Sequence, residues 1–366
     1  MRNAQKEKGL VTQYDRKCRN LTDEQIQNYL KQNLPFVIRM KTPLTGSISF
    51  YDLIREEVTI PFANVDDQIL LKSDGFPTYH LANVVDDHFM KITAVIRGEE
   101  WLMSTPKHLL LYNFFKWTPP QFAHLPLLLN PDRSKLSKRQ GDVAVSDYKN
   151  NGFLPEAVLN FIALLGWNPG DDREILSKSE LIELFDISKC GKSGSVFDIA
   201  KLKWMNGYYI RYFEKTDQQK LINYYKNYLI SNNFIDENYP IEKLKLIIKL
   251  TSEKIETIND LNKFTDLLFN ENFNYESDAE REISKSENFK KLKSALFESL
   301  EKIEELTDKN LMTFIKDIQN QTGIKGKELY KLLRILISGH SEGPDLATLF
   351  LFFNKSGIVN RLKNLK

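Results

Sequence analysis

The stretch "FAHLPLLLNPDRSKLSKRQGDVAVSDYKNNGFLPEAVLNFIALLGW" runs from residue 122 to residue 167 and contains a change of architecture. It opens as an apolar, strand-like run. It then enters a loop in which four of the seven residues from Arg133 to Arg139 are Lys or Arg. Asn130, Pro131, Asp132 and Ser134 are turn formers and set this cluster on a hinge. The last third reads as a helix, with Val158, Phe161, Ile162 and Leu165 at i, i+3, i+4 and i+7. Pro155 marks its start and Gly166 its end. Such a charge cluster is ordinarily a solvated loop. It also suits a polyanion whose charge moves during a reaction, because Lys is a mobile point charge and turn N–H groups are fixed donors.

Upstream of this stretch lie short apolar, β-rich segments: "PFVIRMK" (35–41), "VTIPF" (58–62), "QILLKS" (68–73) and "ITAVIRG" (92–98). Helical signals alternate with them. "LTDEQIQNYLKQ" has Thr22 and Gln25 spaced for a capping box. "STPKHLLLYNFF" has Thr105 as the expected N-cap and Pro106 at the first helical position. Strands alternating with helices indicate an α/β layer. From about residue 174 onward the patterns are almost all helical; stretches rich in Lys, Glu and Asn, such as 270–292, read either as flexible connectors or as biased genomic composition. The expected division is an α/β part at 1–150, a helical connector at 151–235 and an all-helical part at 236–366.

The chain has 366 residues, 42% of them apolar, enough for sizeable cores. A net charge of +2 is no polycation, so any nucleic-acid contact must come from local patches. Two cysteines, Cys18 and Cys190, give neither a disulfide framework nor a complete zinc site. Apolar runs such as "LATLFLFF" (346–353) are far shorter than the roughly 18 residues that span a bilayer. The first residues lack the apolar core of a secretory signal, and Glu7 and Asp15 argue against a transit peptide. The expectation is a cytoplasmic protein, with a mitochondrion or plastid as the alternative. "VVDDHF" pairs Asp86 with Asp87, read here as structural or capping residues. His80, His88, His108 and His124 have no ligand spacing, and His124 reads as a satisfied core or strand-end histidine.

"KLSKR" (135–139) resembles the second signature motif of class I aminoacyl-tRNA synthetases. The segment 73–170 is similar, motif after motif, to bacterial or organellar glutamyl-tRNA synthetases. The likeness extends upstream through "YDRKCR" and "FYDLIREEVTI", and downstream through "VFDIAKLKWMNGYYI" and "GKELYKLLRILISGHSEGPDL". It implies the C-terminal half of a Rossmann-type catalytic domain, then an all-α connector and a helical anticodon-binding domain. The implied activity joins L-glutamate to tRNA(Glu) through glutamyl-adenylate, with ATP, and Mg2+ accompanying the ATP.

The resemblance also implies roles for particular residues. Tyr79 and Asn83 of "PTYHLAN", and Arg97 and Trp101 of "VIRGEEW", would hold glutamate. Glu100 would lie near the ATP ribose. Lys138 would stabilise the departing pyrophosphate, assisted by Lys135 and Arg139, with Leu136 also against ATP. Arg334, with Lys325, Lys327 and Lys331, would face the tRNA. A monomer is expected. A non-catalytic tRNA-binding fragment or paralogue is the alternative.

The chain departs from the family in three respects. Its members carry a "HIGH"-type motif upstream of the "YDRKCR" region, and no such string occurs here, so a truncated version is expected. Cys18 matches one ligand of a zinc site found in some members, but its partners are missing, so no metal is expected. Glu56 stands where the family has glycine. If that position is left-handed, Glu56 costs roughly 1 kcal/mol.

Overall fold

The structure is a computed structural model that describes residues 2–7, 9, 14–136, 144–270 and 275–364. The chain divides into two compact units. One comprises Met1–Leu136 with Ile162–Phe197, the other Ser137–Phe161 with Asp198–Lys366.

Among the described residues the first unit is built on eight short strands: β1 (Ile38–Arg39), β2 (Ser47–Asp52), β3 (Glu56–Pro61), β4 (Ile69–Leu71), β5 (Ala94–Gly98), β6 (Gln121–Leu125), β7 (Leu128–Leu129) and β8 (Ser195–Val196). Four of them form one sheet in the order β3-β2-β6-β5. β5 and β6 run parallel, with Arg97 opposite His124, and the helix Thr105–Phe115 connects them. β2 joins β6 in parallel at Asp52–Phe122 and pairs antiparallel with β3. The sheet is therefore mixed. In β2, Ser, Ile, Ser, Phe and Tyr alternate and only Asp52 is fully buried. Sparse apolar content is why "SISFYD" does not stand out as a strand, although its period of two is regular.

β6 and β7 come from the single apolar run 122–129. Pro126 lies between them and has no N–H to give to a ladder. Two apolar clusters fix this unit. Ile54, Ala123, Trp167, Leu176, Leu181 and Cys190 form one. Met40, Val84, Leu110, Leu111 and Tyr112 form the other, which seats the Tyr79–Phe89 and Thr105–Phe115 helices.

Thr22 and Gln25 form the expected capping box. Thr105 does not cap. It is the first residue of its helix, behind Ser104, and its hydroxyl turns to other partners. Glu56 has a φ of 63°, the left-handed conformation. Its carboxylate meets Lys192 at 2.9 Å, an exposed pair too solvated to repay much of the backbone cost.

The second unit is helical. Within 270–292 most of the described residues are helical, in Asp278–Ser284 and then Glu287–Lys302, whose Phe289 and Leu292 are buried, so the connector reading of this stretch is the one that fails. Apolar residues at helical spacing inside a polar stretch explain the difference. Leu311–Thr322 and Gly326–Ser338 follow, the latter ended by Gly339 at φ 78°, a conformation glycine adopts without strain. No helix of the described residues is long and apolar enough to cross a membrane.

Candidate active site

The parallel pair β5–β6 sets the site. Arg97 and His124 are the penultimate residues of their strands, so both lie at the C-terminal edge of the sheet, where open α/β sheets bind ligands. The Arg97 guanidinium is half-buried and held on several sides. Its Nε donates to His124 Nε2 at 3.0 Å, and one Nη donates to the Thr105 hydroxyl at 2.9 Å. Its other Nη lies 3.4 Å from His108 Nδ1. Burial lowers the Arg97 pKa from its usual value, while the Tyr79 hydroxyl opposes that shift.

The Tyr79–Phe89 helix brings its first turn to the same place. The Tyr79 ring packs 4.9 Å from the ring of Trp101, and both rings are partly open to solvent. His80 Nδ1 lies 3.0 Å from His108 Nε2. Burial, reinforced by nearby Lys107 and Arg97, lowers the His80 pKa to about 4 and that of His108 to about 3. Both imidazoles are therefore neutral at pH 7. Asn83 lies one turn beyond Tyr79 on the same face and bonds to the Asp87 carboxyl, whose pKa burial raises. That is a structural use of Asp87, as expected. Tyr79, Arg97 and Trp101 are thus brought together, with Asn83 one helical turn away.

The start of the basic loop folds back on β7. Leu136 N–H donates to Leu128 carbonyl at 2.9 Å, and Asn130 N–H to Ser134 carbonyl at 2.8 Å. This fold puts Lys135 Nζ 2.9 Å from Glu100, whose pKa that hydrogen bond lowers. Lys138 and Arg139 lie outside the described residues.

Sequence reasoning missed the His80–His108 pair and the role of Asp52. Asp52 is fully buried and its carboxylate sits 2.6 Å from His124 Nδ1. His124, also fully buried, is the satisfied core histidine expected, but it also touches Arg97. The available signal was one acid and one histidine, each set among apolar strand residues, in "FYDLI" and "FAHLP". Among the described residues no group of three or more His, Cys, Asp or Glu is arranged to hold a metal ion.

In the second unit, Lys327, Tyr330, Lys331 and Arg334 line a groove of about 570 Å³ along one face of the Gly326–Ser338 helix. Arg334 donates to the Pro344 carbonyl. Lys325 sits at the N-cap of that helix and is exposed.

Residues 1–204 match the family described as "tRNA synthetases class I (E and Q), catalytic domain", and residues 220–366 match "Anticodon binding domain". A class I catalytic domain followed by a helical anticodon-binding domain is therefore the architecture. The glutamate–tRNA ligase of Clostridioides difficile is 41% identical over 369 residues, covering all of this chain and 74% of that protein. That of Alkaliphilus metalliredigens is equally similar over the same extent. A crystal structure of a glutamate tRNA ligase from Elizabethkingia meningosepticum, in complex with its amino acid, superposes with a TM-score of 0.85 at 32% identity. It covers 99% of this chain and 76% of that one. The chain belongs to the glutamate–tRNA ligase family.

Proposed function

We propose that the chain works as a glutamate–tRNA ligase and that the pocket around Arg97 is its amino-acid site. The glutamate α-carboxylate attacks the α-phosphorus of ATP, pyrophosphate leaves, and glutamyl-adenylate forms. A ribose hydroxyl of the terminal adenosine of tRNA(Glu) then takes the glutamyl group and releases AMP. Mg2+ enters with the ATP phosphates rather than in a protein cage.

The observation that carries this reading is the Arg97 guanidinium, partly open between Tyr79 and Trp101 at the C-terminal edge of parallel strands. A planar fork of donors suits a carboxylate. Arg97, Tyr79 and Asn83 would bind glutamate, and Trp101 would wall the pocket. Glu100 and Leu136 would meet ATP, with the Lys135–Glu100 ion pair exchanging partners when the phosphates arrive. Lys138 would stabilise the pyrophosphate as it leaves, with Lys135 and Arg139 assisting.

On the same reading, 1–150 is catalytic, 151–235 is the connector and 236–366 reads the anticodon end. Trp204, Tyr208 and Tyr212 are exposed at successive turns of the Ile199–Thr216 helix, which supports stacking on tRNA. Lys325, Lys327 and Lys331 would neutralise phosphates, and Arg334 would face the tRNA. The protein acts as a monomer in the cytoplasm. Glutamate-dependent exchange of pyrophosphate into ATP with tRNA(Glu) present, followed by charging of tRNA(Glu), tests the proposal. Binding of tRNA(Glu) with neither reaction would replace it with the non-catalytic alternative.

A further inference from the structure

We propose that Asp52 and His124 form a positioning dyad that aims the Arg97 guanidinium at a substrate carboxylate, and that it works only with the imidazole neutral and its proton on Nδ1. The inference rests on the reading of Arg97 as the carboxylate site. Three strands supply it: Asp52 ends β2, His124 is on β6 and Arg97 is on β5.

The hydrogen-bond roles are determined by elimination. Asp52 Oδ1 accepts the N–H groups of Ile54 and Arg55 at 3.0 Å each, and that of His124 at 3.3 Å. Its Oδ2 is left to accept His124 Nδ1–H at 2.6 Å. Arginine Nε is only a donor. His124 Nε2, 3.0 Å away, must therefore offer it a lone pair. The Thr105 hydroxyl completes the cradle, accepting from Arg97 at 2.9 Å and lying 3.2 Å from His124 Nε2. Protonated His124 would set N–H against N–H and push the guanidinium away.

The charges facing the ring are Asp52, Arg55 and Arg97, with His108 on the Thr105–Phe115 helix. Burial, opposed by Asp52 and aided by Arg97, keeps the His124 pKa below its usual value. For Asp52, burial favours the neutral acid, but the hydrogen bonds from His124 and the backbone outweigh it and lower the pKa. Both shifts keep the dyad in its working form at pH 7.

Two histidine variants separate its two hydrogen bonds. In His124→Asn the amide reaches only the Nδ1 position, so it satisfies Asp52 and loses Arg97. In His124→Gln the amide oxygen reaches the Nε2 position and can accept from Arg97. In glutamate-dependent pyrophosphate exchange with saturating tRNA(Glu), His124→Asn should raise KM for glutamate about tenfold or more with kcat little changed, the pattern of a lost binding contact. His124→Gln should recover most of that loss. Wild-type KM should rise as pH falls through the imidazole's titration, and His124→Gln should lack that rise. Asp52→Asn should behave like His124→Asn, because an amide facing Nδ1 favours the tautomer that puts N–H toward Arg97.

A second readout is independent of catalysis. The Arg97 Nε–H resonance in nitrogen-15 NMR should exchange slowly with water in the wild type and in His124→Gln, and quickly in His124→Asn. Thermal melts identify any variant that fails to fold. Equal KM values in the Asn and Gln variants, with an unchanged Arg97 resonance, would overturn the proposal. A wild type without exchange activity would instead count against the ligase reading, and the NMR comparison alone would then decide the dyad.

Discussion

Two arginines, Arg97 and Arg334, are both half-buried, but they are held differently. Arg97 is gripped by side chains from β6 and the Thr105 helix, residues up to 27 positions away. Arg334 is gripped by a backbone carbonyl only 10 positions away, at Pro344. The first arrangement fixes an angle and needs the whole sheet. The second fixes only a place on a helix face. A site that must clamp a small carboxylate needs the first, whereas a surface that meets a long polyanion tolerates the second.

The largest expected effect lies in the basic loop. Lys138→Ala should cut charging of tRNA(Glu) by a factor on the order of a hundred or more, with tRNA binding intact, as loss of a charge-stabilising contact does. Filter binding beside steady-state charging gives both numbers. An unchanged rate would remove Lys138 from the mechanism.

Next comes Arg97→Lys, which keeps the charge but loses the fork. KM for glutamate should rise by about tenfold or more. If lysine serves as well, the angular grip described above has no purpose.

Arg334→Ala tests the looser side. It should weaken tRNA binding, lower the salt dependence of binding by about one counterion and leave ATP affinity alone. Equal loss of tRNA and ATP affinity would point to misfolding.

The neutral histidines give a pH prediction. The pKa values of His80 and His108 fall from 6.5 to about 4 and about 3. Their folded-state values are depressed, so the unfolded chain takes up protons first as pH falls. Their contribution is present above pH 6.5 and is lost on descent toward about 4 and then about 3. Melting temperature should therefore decline over that window, and His80→Asn should flatten part of the slope.

The smallest effect is Glu56→Gly. Relief of the left-handed backbone should stabilise the protein by about 1 kcal/mol in urea unfolding. No gain would mean that the Lys192 contact or unfolded-state entropy offsets the strain.

How much of this was legible in the sequence follows the same divide. The Gly326–Ser338 helix, its basic face and its glycine stop could be read from spacing, because all its information is local. The capping box at Thr22 is local too and was anticipated. The left-handed Glu56 was raised only as a condition, through the glycine that the family has there. Tyr79, Arg97 and Trp101 were named through motif likeness, since nothing in their spacing brings residues 79 and 97 together. Asp52 was not named at all. Its importance comes from a parallel pairing of β2 with β6 across 70 residues, which no periodicity encodes. Thr105 was misassigned because its helix-start signal was sound, whereas its partner Arg97 was invisible in one dimension.

The central claim is that the residues around Arg97 hold glutamate for activation, and glutamate-dependent exchange of labelled pyrophosphate into ATP, with tRNA(Glu) present, tests it most directly. The account predicts exchange with L-glutamate in the wild type and a sharply raised glutamate KM in Arg97→Lys. Wild-type and Arg97→Lys proteins with the same KM for glutamate would contradict it.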